Sequence, residues 1–245
     1  EVAHLAIAAL NSIPVILYYR FDPEETLRLV ERWRATMTVA SITVFIALMN
    51  HPDIKSRDIS CFKKAYSGGA PVSSAVVDQF EMLTGLYIYN VYGMTETTSP
   101  SHITPLGMRM PVDTASGALS VGVPIPNSVV KIVDLEEGTK ELAPGEIGEI
   151  VDKGPMVVPG YWRKPEETTH AIRDGWLYTG DVGKMDNDGW FYVVDRKKDM
   201  INVSGYKVWP REIEDVLYQH PSVREAAAVG IPDPYRGETV KAFVA

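Results

Sequence analysis

Cysteine is nearly absent from this chain. Cys61 is the single cysteine among 245 residues, which excludes an internal disulfide framework. The five histidines are scattered and show no spacing typical of a zinc site. A composition without disulfides is typical of a reducing compartment, so we predict a cytoplasmic location and a core role for Cys61.

Positive charge is also scarce. The chain has 24 lysines and arginines against 32 acidic residues, for a net charge of −8. Proteins that bind nucleic acids depend on clustered basic residues to neutralise phosphates, so we expect no nucleic-acid partner. A free nucleotide needs only a few local donors and is not excluded by this charge balance.

No long uninterrupted hydrophobic run occurs. The most apolar stretch, residues 2–19, contains His4, Asn11 and Pro14, and it is short of the roughly 20 residues that span a bilayer. It has no basic segment before it and no small-residue cleavage site after it, unlike a signal peptide. We therefore expect no transmembrane segment and interpret this stretch as a buried helix followed by a strand.

With 45% hydrophobic residues, the chain can bury a sizeable core. Its first third alternates helical and strand patterns, which favours a mainly parallel α/β sheet. From Gly122 onward, short β segments separated by turns predict a small β-barrel, and the last 48 positions, residues 198–245, predict a small α+β unit. The predicted helices cover 3–11, 22–34, 42–50, 73–84 and 210–218; the predicted strands cover 13–19, 37–40, 64–66, 86–91, 129–133, 145–151, 156–158, 176–178, 190–194, 223–229 and 240–244, with two short strands around 204–205. Residues 97–117 are interpreted as a loop.

One hairpin carries charged residues where a strand would be expected to end. The aromatic strand 176–178 leads into Thr179-Gly180-Asp181, and the strand 190–194 ends at Asp195-Arg196 after a turn at 186–189. Such a hairpin could present Asp181 and Arg196 on one side, a pairing suited to a ribose diol and a phosphate. On residue types alone, a surface hairpin with a solvated ion pair remains an alternative.

Two further strands end in polar or glycine-rich sequence. Ser67-Gly68-Gly69-Ala70-Pro71 follows strand 64–66, and Tyr92 to Thr97 follows strand 86–91. Open α/β sheets bind ligands at the carboxyl ends of their strands. Taken alone, the first sequence is a common turn and the second could begin a helix. No Walker phosphate-binding motif occurs anywhere in the chain.

Taken together, the motifs resemble the adenylate-forming superfamily, which includes acyl-CoA synthetases, firefly luciferase and the adenylation domains of peptide synthetases. They are YGMTET at 92–97, GEIGEIVDKGPMVVPGYWRKPEET at 145–168, YTGD at 178–181, DRKKD at 195–199 and SGYKVWPREIE at 204–214. The resemblance implies an acyl-CoA synthetase-like large domain over 1–197, with an α/β sheet in 1–118 and a β-rich barrel in 119–197. Residues 198–245 would begin a small, mobile C-terminal domain.

The resemblance also implies roles for individual residues. Gly68, Gly69, Ala70 and Pro71 would lie against adenine, the Tyr92 ring would stack on adenine, and Gly93 would also contact the nucleotide. Thr95 would contact the α-phosphate and Glu96 would hold Mg²⁺, which makes these two the implied catalytic pair. Asp181 would bind the ribose, Arg196 the nucleotide and Lys207 the adenylate, while Lys198 would be the hinge and Gly205 would line the coenzyme A passage. Gly160 and Trp162 would have a structural role. Without the resemblance, Lys197-Lys198 would be interpreted as a solvated pair.

The activity implied by the resemblance is ATP-dependent formation of an acyl-adenylate and transfer of the acyl group to coenzyme A. The acid, fatty or aromatic, is left open, as is a homodimer. The family's phosphate loop would precede Glu1 and its adenylation lysine would follow Ala245, so we expect this stretch alone to be inactive. Asn202 departs from the lysine found in luciferase-like members. Two alternatives remain: an adenylation domain that loads a carrier protein, disfavoured because residues 1–20 contain no Asp, and a non-catalytic nucleotide-binding homologue.

Overall fold

The computed structural model describes residues 2–98, 100–218, 220 and 222–245. Within them lie three β-sheets, which follow one another along the chain. No helix of this described part is long and apolar enough to cross a membrane.

The first sheet contains five strands in sequential order. β1, β2 and β3 are parallel, whereas β4 and β5 are added antiparallel, so the predicted parallel sheet is confirmed for its first three strands. Four helices precede or connect these strands, and Asp22 caps the second helix by accepting from the Glu25 N–H. The strands are Met37–Ala40, Lys64–Ser67, Ile88–Gly93, Pro100–Ile103 and Val123–Pro124; the helices α1 to α4 are Val2–Asn11, Pro23–Trp33, Ile42–Met49 and Ser74–Thr84.

A core between this sheet and its helices keeps the strands in register. Phe45 of α3 and Phe80 of α4 meet edge to face with their ring centroids 5.5 Å apart. Leu27 of α2 and Ile88 of β3 are buried in the same cluster, and Cys61, which is also buried, donates its thiol to the Val30 carbonyl at 3.6 Å. This packing places the carboxyl ends of β2 and β3 side by side.

The second sheet is antiparallel, in the order β10-β9-β7-β6, with β8 paired to β9. Its strands are Val129–Val133, Gly148–Lys153, Ile172–Arg173, Trp176–Met185 and Phe191–Arg196 for β6 to β10, with the short helix α5, Pro165–Ala171, before β8. The hairpin predicted from 176–196 is confirmed.

The third sheet is formed by the last strands in the order β12-β11-β14-β13. They are Ile201–Val203, Tyr206–Val208, Ala226–Asp233 and Gly237–Val244 for β11 to β14, and helix α6, Pro210–Tyr218, packs on β13. Ser204 and Gly205 form the turn between β11 and β12, with φ of 52° and 89°. Both angles are those of a two-residue hairpin turn that favours glycine at its second position.

Four of the predicted elements are wrong. The predicted strand 13–19 pairs with no strand in the described part of the chain, and Leu17 is 77% exposed, because an apolar run becomes a strand only where a neighbour takes up its backbone hydrogen bonds. The helix before it forms as predicted but is not buried, since Leu5 is 53% and Leu10 85% exposed. Residues 156–158 form a turn closed by the Val157 N–H to the Gly154 carbonyl. The predicted loop 97–117 contains β4, although Ser99 within it lies outside the described residues. The strand at 176–178 does not stop at Thr179 but continues to Met185.

Candidate active site

Asp181 and Arg196 face each other because of the hairpin register. Their Cα atoms are partners across β9 and β10. Arg196 Nε lies 3.8 Å from Asp181 Oδ1, and the exposed fraction is 63% for the arginine side chain and 19% for the aspartate. The carboxylate is therefore largely shielded from water, whereas the guanidinium extends into solvent.

A local irregularity in β9 presents Asp181. The pairing between β7 and β9 shifts at this point, so that residues 179–181 bulge from the ladder. Gly180 adopts φ of 74°, a left-handed conformation that favours glycine. Its N–H donates to Glu149 Oε1 at 3.1 Å, and the Thr179 hydroxyl donates to the Ile150 carbonyl at 2.8 Å. Side chains thus replace the missing ladder bonds, and Asp181 lies at a bulge rather than at the predicted strand end.

Tyr92 joins this pair from the first sheet. Its hydroxyl donates to Asp181 Oδ2 at 2.7 Å, so two residues 89 positions apart in the sequence are in direct contact. Burial, and then the nearby Asp181 carboxylate, raise the pKa of Tyr92 well above its usual value. Burial also raises the pKa of Asp181, although the Tyr92 hydrogen bond and Arg196 oppose that effect. The phenol is a neutral donor that orients the carboxylate.

A second carboxyl group is buried near the pair. Asp152 is 0% exposed, and neither of its oxygens has a hydrogen-bond partner of good geometry among the described residues. Burial raises the pKa of Asp152 to about 6, with the nearby Asp181 adding to the rise. The Ser101 hydroxyl lowers the pKa of Asp152, but burial has the larger effect. The same hydroxyl is also hydrogen-bonded with His102 Nδ1 at 2.9 Å. His102 is likewise fully buried, which lowers its pKa to about 3, so it is neutral.

The glycine-rich loop lies at the carboxyl end of β2. A Cβ on Gly68 would lie 2.7 Å from Val91 Cγ2, so the close approach of β3 requires glycine there. Gly69 has φ of 81° and is open to solvent, as are Ala70 and Pro71. Parallel pairing of β2 with β3 brings this loop and Tyr92 to the same edge of the sheet.

Thr95 and Glu96 lie in a 3₁₀ turn, residues 95–97, which Met94 connects to the end of β3. Thr95 is exposed and Glu96 is half-buried. The Tyr161 hydroxyl donates to Glu96 Oε1 at 2.7 Å, and that carboxylate raises the pKa of Tyr161 to about 12. Sequence reasoning assigned no role to Tyr161.

The surroundings of Glu96 fit a magnesium ion that is held mainly by phosphates. One oxygen of the carboxylate is taken by Tyr161, and the acidic and histidine side chains of the described residues form no ligand cluster around the other. Mg²⁺ is commonly bound through one or two carboxylates together with substrate phosphates and water. A single half-buried carboxylate after a strand end suits that arrangement.

No hydrogen bond or ion pair in the described part of the chain joins the Tyr92, Asp181 and Arg196 side chains to Lys198, Gly205 or Lys207. Lys198 is exposed in the 3₁₀ turn 197–199. It borders an open cleft of about 740 Å³ together with Pro71 of the glycine-rich loop. Gly205 and Lys207 lie on the exposed β11–β12 hairpin. The structure therefore brings together Tyr92, Asp181 and Arg196, but not the three residues of the small sheet and its connection.

Sequence reasoning missed the residues that support the site. Glu149 is 4% exposed; it accepts from Gly180 and also from Lys197 Nζ at 2.7 Å. Asp152 and Tyr161 were part of a motif quoted for its resemblance but had no role. The available signal was the two carboxylates at 149 and 152, which flank Ile150 and Val151 within one strand, because buried charge in a strand requires a reason.

Comparison with protein families identifies related sequences over most of the chain. The model described as AMP-binding enzyme matches residues 1–162, and the model described as AMP-binding enzyme C-terminal domain matches residues 212–245. A long-chain-fatty-acid–CoA ligase of Bacillus subtilis is 43% identical over 231 residues, which is 94% of this chain and 40% of that protein. The chain thus spans well under half the length of this relative.

Solved structures give the same result for the fold. ATP-bound MatB from Rhodopseudomonas palustris superposes with a TM-score of 0.86 at 33% identity, covering 98% of this chain and 46% of that one. The amide bond synthetase McbA from Marinactinospora thermotolerans gives a TM-score of 0.81 at 34% identity, with 99% of this chain and 49% of that chain covered. The predicted acyl-CoA synthetase-like fold is confirmed by these similarities.

Proposed function

Because the chain belongs to the AMP-binding enzyme family, we propose that the protein containing it activates a carboxylic acid with ATP and transfers the acyl group to coenzyme A. In the first step a carboxylate oxygen of the acid attacks the α-phosphorus of ATP and pyrophosphate leaves. In the second step the thiol of coenzyme A attacks the acyl carbon and AMP leaves. Neither step needs a protein nucleophile, which agrees with a core position for Cys61.

The observation that carries this proposal is the contact of Tyr92 with Asp181 across two sheets. It places a ring, a carboxylate and the Arg196 guanidinium near the edge that holds the glycine-rich loop. The carboxylate can accept from both ribose hydroxyls, and a guanidinium suits a phosphate. The exposed backbone of Gly69 leaves room for a flat base.

Catalysis at such a site rests on positioning and on electrostatic stabilisation. Thr95 would donate its exposed hydroxyl to the α-phosphate. Glu96 would hold Mg²⁺, which when bound to the triphosphate offsets the charge that develops on pyrophosphate. Arg196 and Lys207 would add positive charge near the nucleotide, although the structure leaves Lys207 on a separate hairpin.

We further propose the division of the chain at Lys198, with the barrel ending at 197 and a mobile unit beginning at 198. Residues 197–199 carry no buried side chain, which suits a connection that changes its backbone angles. Gly205 would line the route of coenzyme A. We propose a cytoplasmic location because the single cysteine of this chain, Cys61, is free, and we leave the oligomeric state open.

The substrate we propose is a long-chain fatty acid, because the Bacillus subtilis relative is named a ligase of such acids. A second candidate shares the adenylation step but uses another acceptor. It is favoured by the similarity to McbA, which is named an amide bond synthetase. Formation of an amide bond requires an amine as the acceptor.

The test uses the full-length protein with ATP, Mg²⁺ and a panel of fatty, aromatic and amino acids. Pyrophosphate release would be measured without acceptor, and product formation with coenzyme A or with simple amines. Long-chain acids are expected to give most pyrophosphate and a thioester only with coenzyme A. Amide formation at a comparable rate would favour the second candidate, and no pyrophosphate with any acid would refute both.

A further inference from the structure

The segment 154–162, which we name the strap, lies against the turn that carries Glu96. The Val158 N–H donates to the Glu96 carbonyl at 2.8 Å, and the Thr98 hydroxyl donates to the Met156 carbonyl at 3.0 Å. The third bond is that of the Tyr161 hydroxyl to Glu96 Oε1. The first two bonds end on backbone carbonyls, whereas the third ends on the Glu96 carboxylate, which we propose binds the metal.

Tyr161 is itself held in place by α5. Its N–H donates to Thr168 Oγ1 at 2.9 Å, and the Thr168 hydroxyl donates to the Lys164 carbonyl at 2.7 Å. Gly160 has φ of 150°, and a Cβ there would lie 2.5 Å from Thr168 Cγ2. The backbone that carries the tyrosine is therefore held against α5 independently of the contact between the phenol and Glu96.

The phenol is not needed to fill a core. Tyr161 is 37% exposed, and its hydroxyl makes one hydrogen bond within the described part of the chain. A glutamate has three side-chain torsions, so an unattached carboxylate would sample several positions before it met a metal. A phenol that binds one oxygen limits the carboxylate to one direction and leaves the other oxygen available.

We propose that Tyr161 is a positioning residue for Glu96: it holds Oε1 so that Oε2 is directed at the metal that accompanies the nucleotide. This inference rests on the proposed function, because it takes Glu96 as the ligand of Mg²⁺. Preorganisation of this kind lowers the cost of ordering the ligand when the metal nucleotide arrives. The nucleotide contacts of Tyr92 and Asp181 do not depend on it.

The test measures ATP affinity of the full-length protein by calorimetry, with Mg²⁺ and with EDTA. For Tyr161→Phe, the factor by which Mg²⁺ tightens ATP binding is expected to fall about tenfold, the size of one hydrogen bond to a charged group. Affinity in EDTA is expected to be unchanged, because the ring and the strap remain. Tyr192→Phe is the matched control, since its hydroxyl likewise donates to a carboxylate, that of Asp186, at 2.9 Å.

A double-mutant cycle separates positioning from a general structural effect. If Tyr161 acts through Glu96, adding Tyr161→Phe to Glu96→Gln should change the Mg²⁺ effect no further. Equal loss of affinity with and without Mg²⁺, or an unchanged Mg²⁺ effect in Tyr161→Phe, would overturn the inference. If ATP binding by the wild-type protein does not respond to Mg²⁺ at all, the proposed role of Glu96 fails first, which is a distinguishable result.

Discussion

Asp152 shows how much one buried group can affect stability. Its pKa in the folded chain is raised to about 6, above the value of about 3.9 expected in an unfolded chain. Between these values the folded state binds more protons, so stability is present below about pH 4 and falls as the pH rises through about 6. The carboxylate therefore destabilises the fold at neutral pH.

We predict that Asp152→Asn stabilises the protein by about 2 kcal/mol above pH 6 and changes little below pH 4. Urea unfolding across this pH range would measure it. Asp188→Asn, which removes an exposed carboxylate from the turn 186–189, is the matched control. Equal effects of Asp152→Asn at both ends of the range would mean that the carboxyl group is not protonated on folding.

Asp181 is the residue whose loss should most directly weaken nucleotide binding. Asp181→Ala removes the acceptor for both ribose hydroxyls and leaves the Tyr92 phenol without its partner. We expect both ATP and AMP affinity to fall by about 1.5–3 kcal/mol. Calorimetry on the full-length protein would measure it, with Asp188→Ala as a matched aspartate control. Unchanged affinity for both nucleotides would remove Asp181 from the site.

At this scale the sequence was informative about motif residues and uninformative about their neighbours. Asp181 and Arg196 could be placed side by side because a hairpin register follows from local turn chemistry. The Tyr161 bond to Glu96 joins residues 65 positions apart and depends on how the strap crosses the turn. Such distant contacts are set by tertiary packing, which no local pattern encodes.

At the scale of elements, the sequence predicted the bounds of helices better than the bounds of strands. Helix α6 was predicted at its observed bounds because Pro210 begins it and its apolar spacing continues to Tyr218. Strand β9 was predicted to stop at Thr179 because Gly180 reads as a turn. The glycine instead permits a bulge, and Glu149 and Thr179 restore the hydrogen bonds that would otherwise be lost.

Helix α6 also provides a test at this scale. Asp195, the residue before Arg196, accepts from the Arg211 N–H at 3.2 Å and so caps the helix from β10. We predict that Asp195→Ala lowers the stability of α6 by about 1 kcal/mol. Faster amide hydrogen exchange confined to 211–218 would show it. Asp215→Ala, which removes an exposed carboxylate 3.9 Å from Arg211, should change exchange little.

At the scale of the whole molecule, few contacts connect the last sheet to the rest. Trp209 packs with Val182 and Val194 of the second sheet, and Asp195 caps α6. The cleft beside Lys198 otherwise separates α6 and β13 from the glycine-rich loop. A small set of contacts near the connection is compatible with rotation of the last unit as a body.

A substitution at Lys198 tests that rotation and separates a two-step ligase from a static nucleotide binder. Lys198→Pro fixes φ at the proposed hinge. Because proline is tolerated in the first turn of a short helix, the orientation of the last unit seen in this structure should remain accessible. We expect one half-reaction to survive and the other to fall by at least about tenfold if rotation is required between them. Lys198→Ala removes the same side chain but leaves the backbone free, and it is the control.

Gly205 tests the same step by a different route. Because Gly205 has φ of 89° with no atom within 4 Å of a built Cβ, any side chain strains the turn, while only a large one would obstruct a passage. Gly205→Ala therefore controls for strain, and Gly205→Leu adds bulk. Single-turnover assays that measure acyl-adenylate and thioester separately should show thioester formation reduced in Gly205→Leu relative to Gly205→Ala, with adenylation equal. If alanine and leucine behave alike, the effect is strain in the turn, and Gly205 does not line the route of coenzyme A.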